Sequence, residues 1–291
     1  MNENNLFYID GYSLDKYQIE CVKCDKNLLV VAGAGCGKTS TILGKVKYLI
    51  RNGIKESEIL CISLTNEATN GLKNKLNKIG LNVDCYTFHK LGLNIINKYY
   101  KKVNIYDNNY LEYILDEYFL STVKYSHRKY YLMLLFKNYK YDEIIKSKEF
   151  ILYKKNIITF INLIKNKGYN ISTIYKLYKK TIYKITFKFI LEIYRIYENE
   201  LNSTNSIDLN DMIIKSRELV DKYKLRLKYK YIIIDEFQDS SRIRLNLIQS
   251  IIKYNKAKIM CVGDDYQSIY RFAGSDIELF LNFNKYFKDS R

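Results

Sequence analysis

The fold is decided by one stretch, Leu28-Leu29-Val30-Val31-Ala32-Gly33-Ala34-Gly35-Cys36-Gly37-Lys38-Thr39. It begins with a short apolar run that predicts a buried strand, and a helical pattern follows the glycines to about Arg51. Small residues at such a turn let the backbone wrap closely around phosphate groups, and the amides at the helix start point toward the anion. The stretch therefore predicts a phosphate-binding loop, in which Lys38 reaches the β- and γ-phosphates and the Thr39 hydroxyl joins a Mg²⁺ shell.

The loop departs from the strict phosphate-loop pattern at one position, because Ala32 stands where a glycine is usual. The alternative is an ordinary glycine turn, which the placement between a strand and a helix and the Gly-Lys-Thr ending both disfavour. The residues expected to bind nucleotide in this loop are Ala32, Gly33, Ala34, Gly35, Cys36, Gly37, Lys38, Thr39 and Ser40.

Strands and helices alternate on both sides of a long helical block. Apolar runs predict further strands at about 59–64, 83–86, 231–234 and 258–262. Helical patterns predict helices at about 67–79, 88–100, 207–223 and 242–253. Between 106 and 200 glycine nearly disappears, and apolar residues recur at helical spacing. We therefore expect an α/β fold with a parallel sheet in two parts, 1–103 and 206–291, and an inserted basic helical subdomain, 104–205.

The composition allows a full globular core but indicates the ligand only weakly. Hydrophobic residues make up 47% of 291 residues, which excludes a wholly disordered chain. The formal net charge of +17 favours a polyanionic partner, although a drift toward AT-rich codons, which inflates Lys, would also explain it. The charge distribution is more specific, since residues 151–190 contain no acid. The lysines of this stretch are Lys154, Lys155, Lys165, Lys167, Lys176, Lys179, Lys180, Lys184 and Lys188.

Nothing in the sequence predicts a membrane segment or an exported protein. No window offers about 18 uninterrupted apolar residues, and the N-terminus lacks a basic-then-apolar signal. The six Cys are therefore expected as free thiols, and Cys21-Val22-Lys23-Cys24 lacks the second pair that a zinc site needs. We expect a soluble intracellular protein without a membrane partner.

A second motif follows a fully apolar run, in Ile232-Ile233-Ile234-Asp235-Glu236-Phe237-Gln238-Asp239. An Asp at the carboxyl end of a buried strand lies where a parallel sheet binds ligands. Asp235 therefore fits a Mg²⁺ ligand, and Glu236 is placed to accept a proton from a water that attacks the γ-phosphate. Alone, this pattern fits a helix-capping acidic turn equally well; together with the glycine loop it favours the catalytic interpretation.

A third motif, Val262-Gly263-Asp264-Asp265-Tyr266-Gln267-Ser268-Ile269-Tyr270-Arg271-Phe272, also follows a predicted strand. A Gln and acids at a strand end can contact nucleotide, and Tyr270 or Phe272 can stack on a base. Buried core aromatics fit the same residues, so composition alone does not define the role of this motif.

These three motifs, in this order, resemble those of the UvrD/Rep-type superfamily 1 DNA helicases, and Tyr270-Arg271-Phe272-Ala273-Gly274 is most similar to the helicase IV branch. Four more segments agree. They are Leu14-Asp15-Lys16-Tyr17-Gln18, similar to the Q motif; Thr65-Asn66-Glu67-Ala68, similar to motif Ia; Thr87-Phe88-His89, similar to motif Ib; and 207–212, similar to the acidic-aliphatic motif that follows the inserted subdomain. The resemblance implies a RecA-like P-loop NTPase fold and an ATP-dependent DNA helicase.

The resemblance also implies a role for each motif residue. Gln18 would read the adenine edge of ATP, Asp235 would hold Mg²⁺, and Gln267 would sense the γ-phosphate and couple it to DNA. The implied catalytic residues are Glu236, Lys38 and Gln267. The implied DNA contacts are Thr65, Asn66, Thr87, Phe88, His89, Tyr270 and Phe272. The implied partners are single-stranded DNA and the single/double-strand junction, with movement in the 3′-to-5′ direction.

Three departures from the family pattern limit these expectations. Leu64 replaces the aromatic that usually precedes Thr-Asn in motif Ia, and Cys36 replaces a common Ser. The chain ends at Arg291, shortly after the third motif, where the family continues into a second RecA-like domain that supplies arginines to the ATP site. We therefore expect either a fragment of a longer helicase or a split subunit, in which case a separate polypeptide carries that domain. The alternative is a truncated or split subunit that binds nucleotide and nucleic acid but lacks helicase activity alone.

Overall fold

The structure, a computed structural model, describes residues 6–9, 11–100, 103–121, 125–268 and 274–291. In chain order the strands are β1 (Tyr8–Ile9), β2 (Tyr12–Ser13), β3 (Leu28–Val31), β4 (Ile59–Ser63), β5 (Asp84–Thr87), β6 (Asn104–Ile105), β7 (Ser206–Ile207), β8 (Tyr231–Ile234) and β9 (Lys258–Gly263). The helices are α1 (Lys16–Lys23), α2 (Lys38–Arg51), α3 (Asn66–Lys78), α4 (Phe88–Ile96), α5 (Asn108–Leu120), α6 (Ser126–Leu135), α7 (Tyr141–Ile144), α8 (Lys148–Asn166), α9 (Ile171–Lys180), α10 (Lys184–Ser203), α11 (Leu209–Tyr223), α12 (Arg242–Asn255), α13 (Glu278–Leu281) and α14 (Phe283–Tyr286).

A five-stranded parallel sheet carries the three motifs. Its strands lie in the order β3-β9-β8-β4-β5, and each neighbouring pair is parallel. All four residues of β8 are buried, as expected for a central strand that helices cover on both faces. Because parallel strands end at the same edge, β3, β8 and β9 place the glycine loop and the two acidic motifs side by side.

The core of this sheet is aliphatic. On α2, Ile42 and Val46 are fully buried and belong to the same cluster as Ile59, Ile233 and Met260 of three strands. The mixed α/β fold with a central parallel sheet and an inserted helical segment confirms the predicted fold class. The buried runs that predicted β3, β4, β8 and β9 account for this agreement.

Helix α4 ends earlier than the sequence predicts. The expected end was near Tyr100, but the helix stops at Ile96 and the chain continues in a turn, with the Tyr99 amide donating to the Ile96 carbonyl at 2.9 Å. The Tyr99 ring then stacks on Tyr223 with centroids 4.7 Å apart. The prediction of a helix to Tyr100 is therefore wrong, because this aromatic contact, which is distant in sequence, competes with helical continuation.

The chain divides into two compact units. The first takes in the described residues up to Tyr99, from Ile213 to Ser268 and from Ser275 onward, and the second takes in those from Tyr100 to Met212 with Gly274. The predicted boundaries at 103/104 and 205/206 stay a prediction. In this division residues 206–212 belong to the helical unit, where β7 pairs with β6 in parallel.

The helical unit has its own core, which is rich in aromatic rings. Phe119 packs edge-on against Phe150 at 5.0 Å and against Phe189 at 5.8 Å between ring centroids. Ile161 and Ile193 are fully buried beside them. Aromatic side chains bury much apolar area, so this cluster stabilises the helical unit.

Not every lysine of the acid-free stretch 151–190 faces solvent. Lys165 is buried, and its Nζ lies 2.7 Å from Asp208 Oδ2, 2.8 Å from Asp211 Oδ1 and 2.9 Å from Glu198 Oε1. Lys154 pairs with Asp116 of α5. Acids distant in sequence therefore neutralise two of the nine lysines, and a DNA-facing role for the others stays a prediction.

Candidate active site

The glycine loop connects β3 to α2 through a left-handed backbone conformation that favours glycine. Gly37 has a φ of +74° and caps the start of α2. A Cβ on Gly37 would lie 2.3 Å from Gln18 Nε2, a distance at which atoms overlap. The loop therefore brings its backbone close to a neighbouring side chain and leads directly into the helix start, which is the arrangement that favours a bound phosphate.

The Gln18 side chain forms a hydrogen bond with the backbone of the glycine loop. Its Oε1 accepts from the Asp15 amide at 3.0 Å and its Nε2 donates to the Cys36 carbonyl at 3.3 Å. The Asp15 carboxylate in turn accepts from the backbone N–H of Gln18, which completes a capping box at the start of α1. Both the oxygen and the nitrogen of the Gln18 side-chain amide therefore form hydrogen bonds within the chain. The role of Gln18 toward adenine stays a prediction.

Lys38 and Glu236 meet at the carboxyl edge of the sheet. Lys38 is the first residue of α2, and Glu236 follows β8 by two positions. Lys38 Nζ lies 3.1 Å from each carboxylate oxygen of Glu236, so one ammonium group donates to both. The structure therefore brings together the predicted phosphate-binding lysine and the predicted base.

A chain of hydrogen bonds extends from Glu236 to Gln267. Gln238 Nε2 donates to Glu236 Oε2 at 2.8 Å, and Gln238 Oε1 accepts from the Asp264 amide at 3.1 Å. Gln267 Nε2 donates to Asp264 Oδ2 at 2.6 Å. A Cβ on Gly263 would lie 2.3 Å from Gln238 Oε1 and 3.2 Å from the Phe237 backbone nitrogen, so a larger residue where β9 ends would displace the hydrogen-bonded Gln238 side chain. The predicted catalytic residues are thus connected through two side chains.

Gln238 and Asp264 are the residues that sequence reasoning missed. Both lie inside the quoted motifs, yet no role was assigned to either. Gln238 is 2% exposed, and a buried amide must find hydrogen-bond partners. The available signal was their position, since both follow buried strands at the edge where a parallel sheet binds ligands.

The donor chemistry near the loop fits Mg²⁺. Asp235 provides a carboxylate at the end of β8, and Thr39 provides a hydroxyl in the first turn of α2. Burial, and then the neighbouring Glu236, raise the pKa of Asp235, while Lys38 opposes this effect. Mg²⁺ prefers oxygen ligands and is commonly held by one or two carboxylates together with phosphates and waters. Thr39 and Asp235 fit that pattern.

Comparison with known proteins assigns the family. The model of the UvrD/REP helicase N-terminal domain matches residues 14–288. The chain belongs to this family. A probable DNA helicase II homolog of Mycoplasma capricolum is 28% identical over 95% of this chain and 37% of that protein. The ATP-dependent DNA helicase Rep of Buchnera aphidicola (subsp. Baizongia pistaciae) is 32% identical over 87% of this chain and 35% of that protein.

A third relative matches this chain with similar identity and coverage. The ATP-dependent DNA helicase PcrA of Staphylococcus aureus is 28% identical over 92% of this chain and 35% of that protein. The chain thus spans about a third of the length of these curated relatives. The resemblance to the UvrD/Rep-type helicases is confirmed, whereas the similarity to the helicase IV branch rests on residues 270–274 and stays a prediction.

The Thr residues of the predicted UvrD-type motifs Ia and Ib cap helices at the same edge of the sheet. Thr65 Oγ1 accepts from the Ala68 amide at the start of α3, and Thr87 Oγ1 accepts from the Lys90 amide at the start of α4, both at 3.2 Å. Because β4 and β5 are neighbours, the two helix starts lie on adjacent strands. Thr65 is exposed, whereas Thr87 is buried.

The other predicted DNA contacts differ in their exposure. Asn66 is exposed and His89 is half-buried. Phe88 is 4% exposed, with the Arg244 guanidinium 5.6 Å from its ring centroid, so this ring packs inside the fold. Tyr270 and Phe272 lie outside the described residues. The DNA contacts of all these residues stay predictions.

The remaining cysteines and acids of this UvrD-family chain form no further metal site among the described residues. All six cysteines are free thiols. Cys61 and Cys85 are neighbours on β4 and β5. In the part of the chain that the structure describes, no three His, Cys, Asp or Glu side chains cluster as a metal site. No described helix is both long and apolar enough to span a membrane.

Proposed function

We propose that this chain is the ATP-binding part of an ATP-dependent DNA helicase or translocase, which couples ATP hydrolysis to 3′-to-5′ movement on single-stranded DNA. The observation that carries the proposal is the Lys38–Glu236 pair at the carboxyl edge of the sheet, connected to Gln267 through Gln238 and Asp264. The printed names of the relatives, ATP-dependent DNA helicases Rep and PcrA, support it.

The proposed mechanism begins with an exchange of partners at Lys38. When the phosphates of ATP occupy the loop, they compete with Glu236 for the Lys38 ammonium group, because phosphate carries more charge than a carboxylate. Glu236 keeps its hydrogen bond from Gln238 and gains the capacity to accept a proton from the attacking water. Mg²⁺, held by Thr39 and Asp235, would supply charge neutralisation at the phosphates.

Gln267 is proposed to respond to the presence of the γ-phosphate and to transmit that change to the rest of the chain. Its amide donates to Asp264, which caps the turn that contains Gln267 by accepting from the Tyr266 amide at 3.1 Å. A change in the hydrogen bond of Gln267 therefore alters the support of this turn. The turn directly precedes the motif that is expected to contact DNA.

DNA is proposed to pass over the starts of α3 and α4. Helix starts present free amides and a positive dipole, both of which favour a phosphate backbone. Thr65 and Thr87 fix these two starts on adjacent strands of the sheet that also carries the ATP site. ATP and DNA would thus share one rigid support.

The first test is ATP hydrolysis by the full chain with and without single-stranded DNA, compared with the isosteric variant Glu236→Gln. We expect slow hydrolysis that DNA stimulates. We expect Glu236→Gln to lower the rate about 10²- to 10⁴-fold while ATP still binds, because the variant loses the proton acceptor but keeps the shape.

Two other outcomes would count against the proposal. A Glu236→Gln variant that hydrolyses ATP at the normal rate would contradict the assigned base. A chain that binds ATP and DNA but shows no turnover, alone or with a polypeptide carrying a second RecA-like domain, would favour nucleotide and nucleic-acid binding without helicase activity.

A further inference from the structure

The helical unit contains a cavity of about 340 Å³ between α9, α10 and one residue of α6. Three tyrosines and three cations line it: Tyr131, Tyr175, Tyr178, Lys184, Lys188 and Arg195. The volume lies within the range of about 300–1,000 Å³ that is usual for small-ligand sites. The alternation of aromatic rings and positive charges is its distinguishing chemistry.

Each cation of the cavity lies against an aromatic ring. Lys188 Nζ is 4.6 Å from the Tyr131 ring centroid and donates to its hydroxyl at 3.3 Å. The Arg195 guanidinium is 5.4 Å from the Tyr175 ring centroid and donates to the Tyr175 hydroxyl. These contacts hold the charged groups beside the ring faces, within the distance at which cation–π attraction acts.

The third pair closes one end of the cavity. Lys184 Nζ is 4.9 Å from the Tyr178 ring centroid. It donates to the carbonyls of Tyr178 and Lys179, at 2.6 Å and 2.7 Å, at the carboxyl end of α9. Lys184 therefore fixes the turn between α9 and α10, and its charge stays beside the Tyr178 ring.

No described acid neutralises these three cations. Within the described residues, none of Lys184, Lys188 and Arg195 forms an ion pair. Glu192 also lines the cavity, but its carboxylate accepts from Arg128 Nε at 3.3 Å and from the Tyr118 hydroxyl at 2.6 Å. The cavity therefore has a net positive charge. Lys165, in the same unit, differs from these three cations because acids neutralise it.

We propose that this cavity binds one nucleotide of a single nucleic-acid strand, with the base against the tyrosine rings and the phosphodiester at Lys188 and Arg195. A base stacks on an aromatic ring whatever its identity, and cations beside the ring attract the backbone phosphate. An aliphatic anion would leave the rings unused, and a cationic ligand would be repelled. The inference rests on the proposed DNA-binding function and adds a strand contact outside the sheet.

The direct test is photo-crosslinking of the full chain to a single-stranded oligonucleotide that carries 5-iododeoxyuridine. Mass spectrometry of the digested product locates the crosslinked residue. We expect crosslinks at Tyr131, Tyr175 or Tyr178, and we expect Tyr175→Ala to reduce the signal from this cavity. Tyr169→Ala, an exposed tyrosine of the same unit outside the cavity, is the matched control and should leave the signal unchanged.

Equilibrium binding of a short labelled oligo(dT) strand at low salt provides a second measurement. We expect Tyr175→Ala to weaken binding about tenfold through loss of a stacked base. Lys188→Ala and Arg195→Ala should weaken binding and reduce its salt dependence. Lys155→Ala removes the same charge from an exposed site on α8 and should have a smaller effect. Tyr175→Phe keeps the ring and should bind like the unmodified chain.

The result that overturns the inference is distinct from failure of the proposed function. Crosslinks confined to the sheet-containing unit, or Tyr175→Ala, Lys188→Ala and Arg195→Ala variants that all bind as tightly as Lys155→Ala, would contradict the cavity site. Loss of ATP binding is measured separately and reports only on the glycine loop. A chain that binds ATP but no single strand at all would overturn the proposed DNA-binding function, and the cavity site would fall with it.

Discussion

Glu236 occupies a backbone conformation that most residues avoid. Its φ of 51° lies in the left-handed region, which costs a non-glycine residue about 1–3 kcal/mol. Its amide donates to Asp235 Oδ1 at 3.0 Å, and its carboxylate accepts from Lys38 and Gln238. These contacts hold the strained residue, and the conformation directs the carboxylate toward the glycine loop.

Asp239, three residues further, is a buried carboxyl without full hydrogen bonding. Its Oδ1 has no partner among the described residues. Burial, and then the charge of Glu236, raise the pKa of Asp239 to about 6, although Arg244 opposes this effect. Burial also lowers the pKa of Arg244 to about 10, and its Nη1 donates to the Asp239 carbonyl at 3.1 Å. The ionised form of Asp239 therefore destabilises the folded state.

This carboxyl predicts a pH dependence of stability. Between about pH 4 and pH 6 the folded state binds the proton of Asp239 more tightly than the unfolded state, so stability falls as pH rises through this window and is constant above it. Asp239→Asn lacks this penalty. The free energy of unfolding of the variant, relative to the unmodified chain, should rise by about 2 kcal/mol from pH 4 to pH 7.

Urea unfolding at a series of pH values measures this difference. Glu218→Gln, at an exposed carboxyl of the same unit on α11, is the control and should not reproduce the change seen with Asp239→Asn. A constant difference between Asp239→Asn and the unmodified chain across the window would contradict the raised pKa.

At the scale of single residues, the sequence predicted those that a motif names and missed those that only packing selects. Lys38 and Glu236 were expected to act on the same phosphate, and the structure places them in contact. Gln238 was not predicted, because its role depends on accepting a hydrogen bond from the Asp264 amide at the end of the neighbouring strand. Phe88 was expected on the DNA path, and its burial under Arg244 depends on α12, which is distant in sequence.

At the scale of elements, apolar runs located the strands well, whereas the charge pattern did not reveal ion pairs between helices. The runs of β4 and β8 are buried on both faces, so hydrophobicity alone identified them. The acid-free stretch 151–190 indicated a basic region that could face a polyanion. Lys165 lies instead among three acids from α10 and the start of α11, because a sequence window does not include partners from other helices.

The buried Lys165 predicts a large loss of stability on substitution. Lys165→Ala removes the cation that neutralises Glu198, Asp208 and Asp211, and uncompensated buried charges are costly. We expect the free energy of unfolding to fall by about 3–5 kcal/mol. The matched control is Lys155→Ala, at an exposed position of the same helix, which should change it by about 0.5 kcal/mol or less.

Denaturant unfolding followed by circular dichroism compares the two variants. If Lys165→Ala were no less stable than Lys155→Ala, the ion cluster of Lys165 with Glu198, Asp208 and Asp211 would not stabilise the fold.

Burial of Asp211 raises its pKa to about 6 in spite of Lys165, which indicates that the cluster does not gain stability from every charge it contains.

At the scale of the whole molecule, the sequence predicted a parallel sheet but not its strand order. The order β3-β9-β8-β4-β5 makes β3 and β9 neighbours, so that Val31 pairs with Gly263, which lies 232 residues further along the chain (263 minus 31). Local patterns contain no information on such pairing. The order matters for function, because β9 lies between the glycine loop strand and β8 and so brings Asp264 beside both motifs.

The central claim is that the glycine loop binds Mg²⁺-ATP through Lys38, and equilibrium titration of the full chain with Mg²⁺-ATP tests it most directly. We expect Lys38→Ala to weaken binding about ten- to a hundredfold, since hydrogen bonds to a charged phosphate are lost. Lys78→Ala, an exposed lysine at the end of α3, should bind like the unmodified chain. Equal affinity of Lys38→Ala and the unmodified chain for Mg²⁺-ATP would contradict the account.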